Sequence, residues 1–99
     1  MNQSNENQAT LKKARVKLYV THHCPYCIRA KKFLESKGVT YELIDLTNKP
    51  EELAQLKMKT HWKTVPQIFV GSHFVGGYTD MMKLEDDGTL DQWLAEDSV

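Results

Sequence analysis

Only two cysteines occur in this chain, too few for a scaffold of disulfides, and they stand three positions apart, so a bond between them closes a loop too short to constrain the unfolded chain. Charge of one sign is also missing. Thirteen basic side chains balance 13 acidic ones, and a balanced chain has no field to recruit a nucleic acid or an anionic membrane. No apolar run approaches the length that crosses a bilayer, and the opening MNQSNENQATLKKA lacks the apolar centre of a secretory signal. These absences describe a soluble, cytoplasmic protein with no nucleic-acid or membrane partner. With 99 residues there is room for one small domain, and a hydrophobic share of 40% allows it a packed core.

The first residues are polar and nearly free of large apolar side chains, so residues 1–14 are expected to be a mobile tail and 15–99 the domain. In ARVKLYV, Val16, Leu18 and Val20 alternate with Arg15, Lys17 and Tyr19, the period of a strand. From Cys24 to Lys37 the apolar residues Cys27, Ala30, Phe33 and Leu34 share a helical face, and Gly38 is the stop. VTYELIDL, residues 39–46, suits a second strand, which makes a right-handed βαβ unit with its strands parallel. Asn48 and Glu51 fit a capping box for a helix over roughly 50–59, with Leu53, Ala54 and Leu56 facing the core. QIFV and HFV flank Gly71-Ser72, the connection of a type II′ hairpin. A helix over about 79–87 ends at Gly88, and Thr89 with Gln92 fits a second capping box for a short last helix, docked by Trp93 and Leu94.

Both cysteines lie in THHCPYCIRAKKFLESKG. Cys24 stands where the first strand hands over to the first helix, at the N-cap, with Pro25 at the first helical position. Free N–H groups and the positive end of the helix dipole favour an anion there, and the thiolate is the form that attacks a disulfide. Cys24 is therefore expected to be the nucleophile. Cys27 lies almost one turn further on and deeper, placed to attack a mixed disulfide at Cys24 and release the reduced product. Tyr26 adds an aromatic shoulder. A C-x-x-C is also half of a zinc site, and His22 and His23 supply nitrogens next door, but four ligands packed within six residues converge poorly on a tetrahedron. Two coincidentally buried cysteines are the plainest alternative; the order strand, motif, helix weighs against it.

CPYC after a strand, TVPQIFV before a hairpin, and GG followed by Thr79 and Asp80 at a helix start together resemble a glutaredoxin of the dithiol CPYC type, over roughly Arg15 to Leu94. The resemblance implies an α/β thioredoxin-like fold: a four-stranded mixed sheet in the order 2-1-3-4, flanked by helices on both faces. It implies a cis Val65-Pro66 bond that sets the Val65 backbone opposite the Cys24 sulfur, where glutathione can pair with it. Carried over, Gly76 and Gly77 let the chain turn close to the ligand. The N–H groups near Thr79 and the carboxylate of Asp80 would hold the charged ends of the γ-glutamyl group. Lys63, ahead of Thr64, would meet the glycyl carboxylate. In two places the chain departs from the pattern. Thr21 stands where many members have lysine, so that His22 or His23, when protonated, is the nearest substitute charge, and Tyr78 stands where a small residue or cysteine is common. Arg29, Lys31 and Lys32 read as a solvated helix face.

The activity so implied is glutathione-dependent thiol-disulfide oxidoreduction of glutathionylated or disulfide-bonded proteins. The resemblance allows ribonucleotide reductase among them. Cys24 and Cys27 act, glutathione serves as reducing co-substrate, no cofactor is permanently bound, no metal site is assigned, and a monomer is expected. The alternative carried beside it is a dimer bridging a [2Fe–2S] cluster through Cys24 and two glutathiones, which a proline after the first cysteine disfavours. A thioredoxin-like reductant fed by a reductase is the third reading; the GGYTD stretch weighs against it.

Overall fold

The structure is a computed structural model and describes residues 15–96; the expected polar tail lies outside the described residues. Strand β1 (Val16–Val20) buries Val16, Leu18 and Val20 and leaves Lys17 and Tyr19 half-exposed, as the alternation requires. Helix α1 (Pro25–Ser36) follows and returns the chain to β2 (Tyr41–Asp45), which pairs parallel to β1 with Leu18 opposite Leu43. Helix α2 (Pro50–Thr60) leads to β3 (Gln67–Val70) and β4 (His73–Gly76), and helices α3 (Tyr78–Asp87) and α4 (Thr89–Ala95) complete the fold. The sheet order is β2-β1-β3-β4, with β3 antiparallel to both β1 and β4. Gly71 has φ 59° and Ser72 is not among the positive-φ residues, the signature of the II′ hairpin expected there.

One sheet face carries the core. Val16, Leu18, Ile68 and Val70 meet Cys27, Ala30 and Leu34 of α1, Met81 of α3 and Leu90 of α4 in a single buried cluster. The other face carries a row of aromatic rings, Tyr19 against Phe69, Phe69 against Phe74 and Phe74 against Trp62. Gln67 points the opposite way from Ile68 and bonds Thr60 at the end of α2, which puts α2 on that second face. Trp93 docks α4 as expected, its ring stacked on His73 at 4.1 Å between centroids.

Three local expectations are corrected. Pro50 occupies the first turn of α2, which makes Lys49 the N-cap; Asn48 is one residue too early, and no side chain caps the helix. Ala54 is exposed because the inward stripe of α2 runs through buried Leu56 and half-buried Leu53 and Thr60. Gly88, with φ 85°, closes α3 and opens α4 at once, so Thr89 is already helical and its N–H is taken by Asp87 Oδ1 at 2.9 Å.

Candidate active site

Chain direction reverses between β1 and α1 through His23, which holds φ 56°. Cys24 then takes an extended conformation at the N-cap and Pro25 sits in the first turn, so the helix begins where proline costs no hydrogen bond. The backbone N–H of Cys27 donates to Cys24 Sγ at 3.2 Å, a sulfur doing the work of a capping oxygen. On its other side Cys24 Sγ lies 3.7 Å from the carbonyl oxygen of Val65. Cys24 is half-buried, whereas Cys27 is 2% exposed. Burial, and then the Cys24 sulfur beside it, push the Cys27 thiol up to about 12, so at neutral pH it is a thiol held in reserve.

The wall facing the cysteines is the 61–66 loop. Val65-Pro66 is cis, and fully buried Gln67 fixes the loop from below: its amide nitrogen donates to the carbonyls of Trp62 (2.8 Å) and Thr64 (3.2 Å), and its oxygen accepts from the Thr60 hydroxyl (2.9 Å). A buried amide with its donors and acceptor engaged is a rigid support. The third wall begins at Gly76, with φ 108°. A β-carbon there would come within 3.0 Å of Asp80 Oδ2, so only glycine lets the chain turn this close to α3. Gly77 is the N-cap of α3, and its N–H donates to Asp80 Oδ2 at 3.1 Å.

These walls enclose a groove of about 340 Å³. Tyr26 borders it from α1, Thr64, Val65 and Pro66 from the loop, and Gly77, Thr79 and Asp80 from the start of α3. Lys63 is exposed and does not line it. Two lining residues escaped the site expected from sequence. Tyr78, noted only as a departure, sets its ring 6.0 Å from that of Tyr26, over which Arg29 also lies at 5.1 Å. Trp62 borders the groove beside Gly77, and an aromatic residue two positions before the Thr-Val-Pro turn was the available signal. His22 points its imidazole at Asp45 (3.5 Å) and its backbone N–H donates to Thr47 Oγ1, which ties it to the end of β2 and the turn after it. Among the described residues, no group of three or more His, Cys, Asp and Glu side chains is placed to hold a metal ion.

An accessible sulfur at a helix N-terminus, a second thiol beneath it and a groove alongside are what thiol-disulfide exchange with an extended substrate requires. The glutaredoxin family model matches residues 16–75, which takes in both cysteines and the cis-proline loop. A glutaredoxin of Pseudomonas aeruginosa is 48% identical over 80 residues, spanning 81% of this chain and 95% of that protein. Glutaredoxin 3 of Escherichia coli is 36% identical over 81 residues, 82% of this chain and 98% of its own length. Among solved structures, the glutaredoxin of Brucella melitensis superposes with a TM-score of 0.76 at 42% identity, covering 85% of this chain and 91% of that one. A buckwheat glutaredoxin in complex with glutathione superposes with a TM-score of 0.76 at 28% identity, covering 90% and 84%.

Proposed function

Because this chain belongs to the glutaredoxin family, has the thioredoxin-like fold and is a thiol-disulfide oxidoreductase, we propose that glutathione is its reducing co-substrate and that it serves glutathionylated and disulfide-bonded proteins. Cys24 is the nucleophile. On a glutathionylated protein its thiolate attacks the glutathione sulfur, the protein leaves as thiolate and takes a proton, and Cys24 carries the glutathione. A second glutathione attacks that mixed disulfide, releasing glutathione disulfide and restoring Cys24. On a protein disulfide, Cys24 forms a mixed disulfide with the substrate. Cys27, once deprotonated, displaces the substrate thiolate, and two glutathiones then reduce the Cys24-Cys27 bond.

The observation that carries this reading is the juxtaposition of Cys24 Sγ, at 3.7 Å from the Val65 carbonyl, with a groove running past Val65 to the N-terminus of α3. A tripeptide laid in that groove would pair with Val65, place its sulfur at Cys24 and reach Thr79 and Asp80 with its γ-glutamyl end. That a buckwheat glutaredoxin of the same fold was solved in complex with glutathione supports glutathione as the ligand. Lys63 stands outside the lining, so its proposed role toward the glycyl carboxylate rests on the family resemblance alone. Glutaredoxin couples lie near about −200 to −230 mV, close to biochemical values for the glutathione pool, so the pool of a reducing cytoplasm can recycle them. Ribonucleotide reductase is a substrate of the right chemical kind, and a monomer suffices for every step.

Turnover of a small glutathione mixed disulfide with glutathione and glutathione reductase tests the proposal. Sustained turnover is expected. Reduction that proceeds only with a thioredoxin reductase would transfer the chain to the thioredoxin-like reading.

A further inference from the structure

Trp62 is held by its backbone and by its ring. Its backbone N–H donates to Thr60 Oγ1 at 3.2 Å, its carbonyl accepts from Gln67 Nε2 at 2.8 Å, and its ring meets Phe74 edge-on with centroids 5.7 Å apart. The residue before it, His61, turns the chain through φ 60°. Its indole Nε1 is nevertheless buried with no hydrogen-bond partner among the described residues. Burying an N–H without an acceptor is costly, and tryptophan N–H groups in folded proteins usually find one.

Gly77 shows where that acceptor belongs. A β-carbon there would sit 3.8 Å from Trp62 Nε1 and 3.7 Å from both the Pro66 carbonyl oxygen and Asp80 Oδ2. Those are ordinary contacts, and φ −99° is open to any residue, so neither space nor backbone conformation demands glycine. What glycine does is keep the space between the indole and the start of α3 free of a side chain. The first intrahelical bond of α3 runs from Met81 N–H to the Gly77 carbonyl, which leaves the N–H groups of Tyr78, Thr79 and Asp80 without intrahelical acceptors. Trp62, Gly77, Thr79 and Asp80 border the same groove. Converging N–H donors at a helix N-terminus suit a carboxylate, and the Asp80 carboxylate beside them suits an ammonium. Together they suit the α-amino-acid end of a ligand.

Resting on the glutathione reading above, we propose that the Trp62 indole N–H donates to the α-carboxylate of the γ-glutamyl group, which makes Trp62 a specificity-determining residue for glutathione in this chain. It touches the far end of the ligand and not the reacting sulfurs. Its contribution therefore falls on KM and not on kcat.

Indole N–H resonances of the wild-type protein give the test, with S-methylglutathione as an unreactive probe and Trp93, stacked on His73, as the internal control. Saturation is expected to move the Trp62 resonance downfield and leave Trp93 in place, and amidating the α-carboxylate of the probe should abolish most of that shift. In turnover, Trp62→Phe keeps the ring packing but lacks the N–H; it should raise KM for a glutathione mixed disulfide about 10- to 100-fold, the loss typical of a bond to a charged acceptor. It should add no penalty on the amidated substrate. Saturable binding with an unmoved Trp62 resonance, or equal losses on the free and amidated substrates, overturns this assignment alone. No binding of S-methylglutathione at all overturns it together with the glutathione reading.

Discussion

At its first turn α1 presents a cap made of sulfur, half-buried and 3.7 Å from the carbonyl of Val65 in the groove wall, while its last turn is tied to α3, α4 and β2. There Lys37 reaches Glu85 of α3 at 2.9 Å and Asp91 of α4 at 2.8 Å. Gly38, at φ 76°, closes a Schellman turn: its N–H goes to the Glu35 carbonyl and that of Val39 to the Leu34 carbonyl. The Tyr41 hydroxyl donates to Glu35 from β2 at 2.8 Å. A cation at a helix C-terminus also suits the dipole, so this end is both capped and ion-paired. The contrast shows how one helix can hold an under-satisfied N-terminus for chemistry. Its anchoring lies about three turns away, where a change in stability need not touch the reacting sulfur.

Exchanging side chains at the two ends should separate the two roles. The largest effect belongs to the cysteines. Cys24→Ser should abolish both deglutathionylation and protein-disulfide reduction. Cys27→Ser should lose the second and keep the first, as steady-state assays on a glutathionylated peptide and on a disulfide-bonded protein would show. Equal loss in the two variants would erase the distinction between attacking and resolving thiols. Next comes selectivity within the motif: limited iodoacetamide at neutral pH should label Cys24 at least about 100-fold faster than Cys27, which is buried and remains a thiol to about 12. Peptide mapping by mass spectrometry reads the ratio directly.

At the other end, Lys37→Met should change stability and spare chemistry. Two partly exposed ion pairs are worth about 1 kcal/mol together. The melting temperature should fall by about 4–8 °C for a domain of this size, with kcat/KM unaltered. A drop in turnover at a temperature where the variant is folded would mean that the ends of α1 are coupled. The smallest effect is alkaline. Burial, and then Glu35, raise the Tyr41 phenol to about 12, and Asp91 and Glu85 raise Lys37. The native state then keeps protons that the unfolded chain gives up, so stability is full below the ordinary tyrosine value of about 10 and declines as pH rises toward about 12. Tyr41→Phe should make that decline shallower in melts across this window.

Local patterns in the sequence carried much of this architecture. Val16, Leu18 and Val20 announce β1 by alternation alone, and Cys24-Pro25 announces the start of α1 because N-cap and first-turn preferences act within two residues. Where the expectations slipped, a neighbouring residue settled the register. Pro50 moved the α2 cap to Lys49, and Gly88 served two helices at once. The glutathione-facing assignments at Val65, Thr79 and Asp80 came from family resemblance, and nothing in local periodicity would have brought those positions to one groove. Least legible were contacts made across the fold. Gln67 props the loop through Trp62 and Thr64, and Lys37 joins three helices; each depends on a chain path that spacing does not reveal. Trp62 is the sharpest case, since its buried indole acquires meaning only once Gly77 and Asp80 are seen beside it.

The claim at the centre of this account is that Cys24 accepts and gives up glutathione without help from Cys27. Mass analysis of Cys27→Ser after brief exposure to glutathione disulfide tests it most directly. One glutathione on Cys24, removed again by added glutathione while turnover of a small mixed disulfide continues, is the predicted result. An unmodified Cys24, or an adduct that glutathione cannot remove, would contradict it.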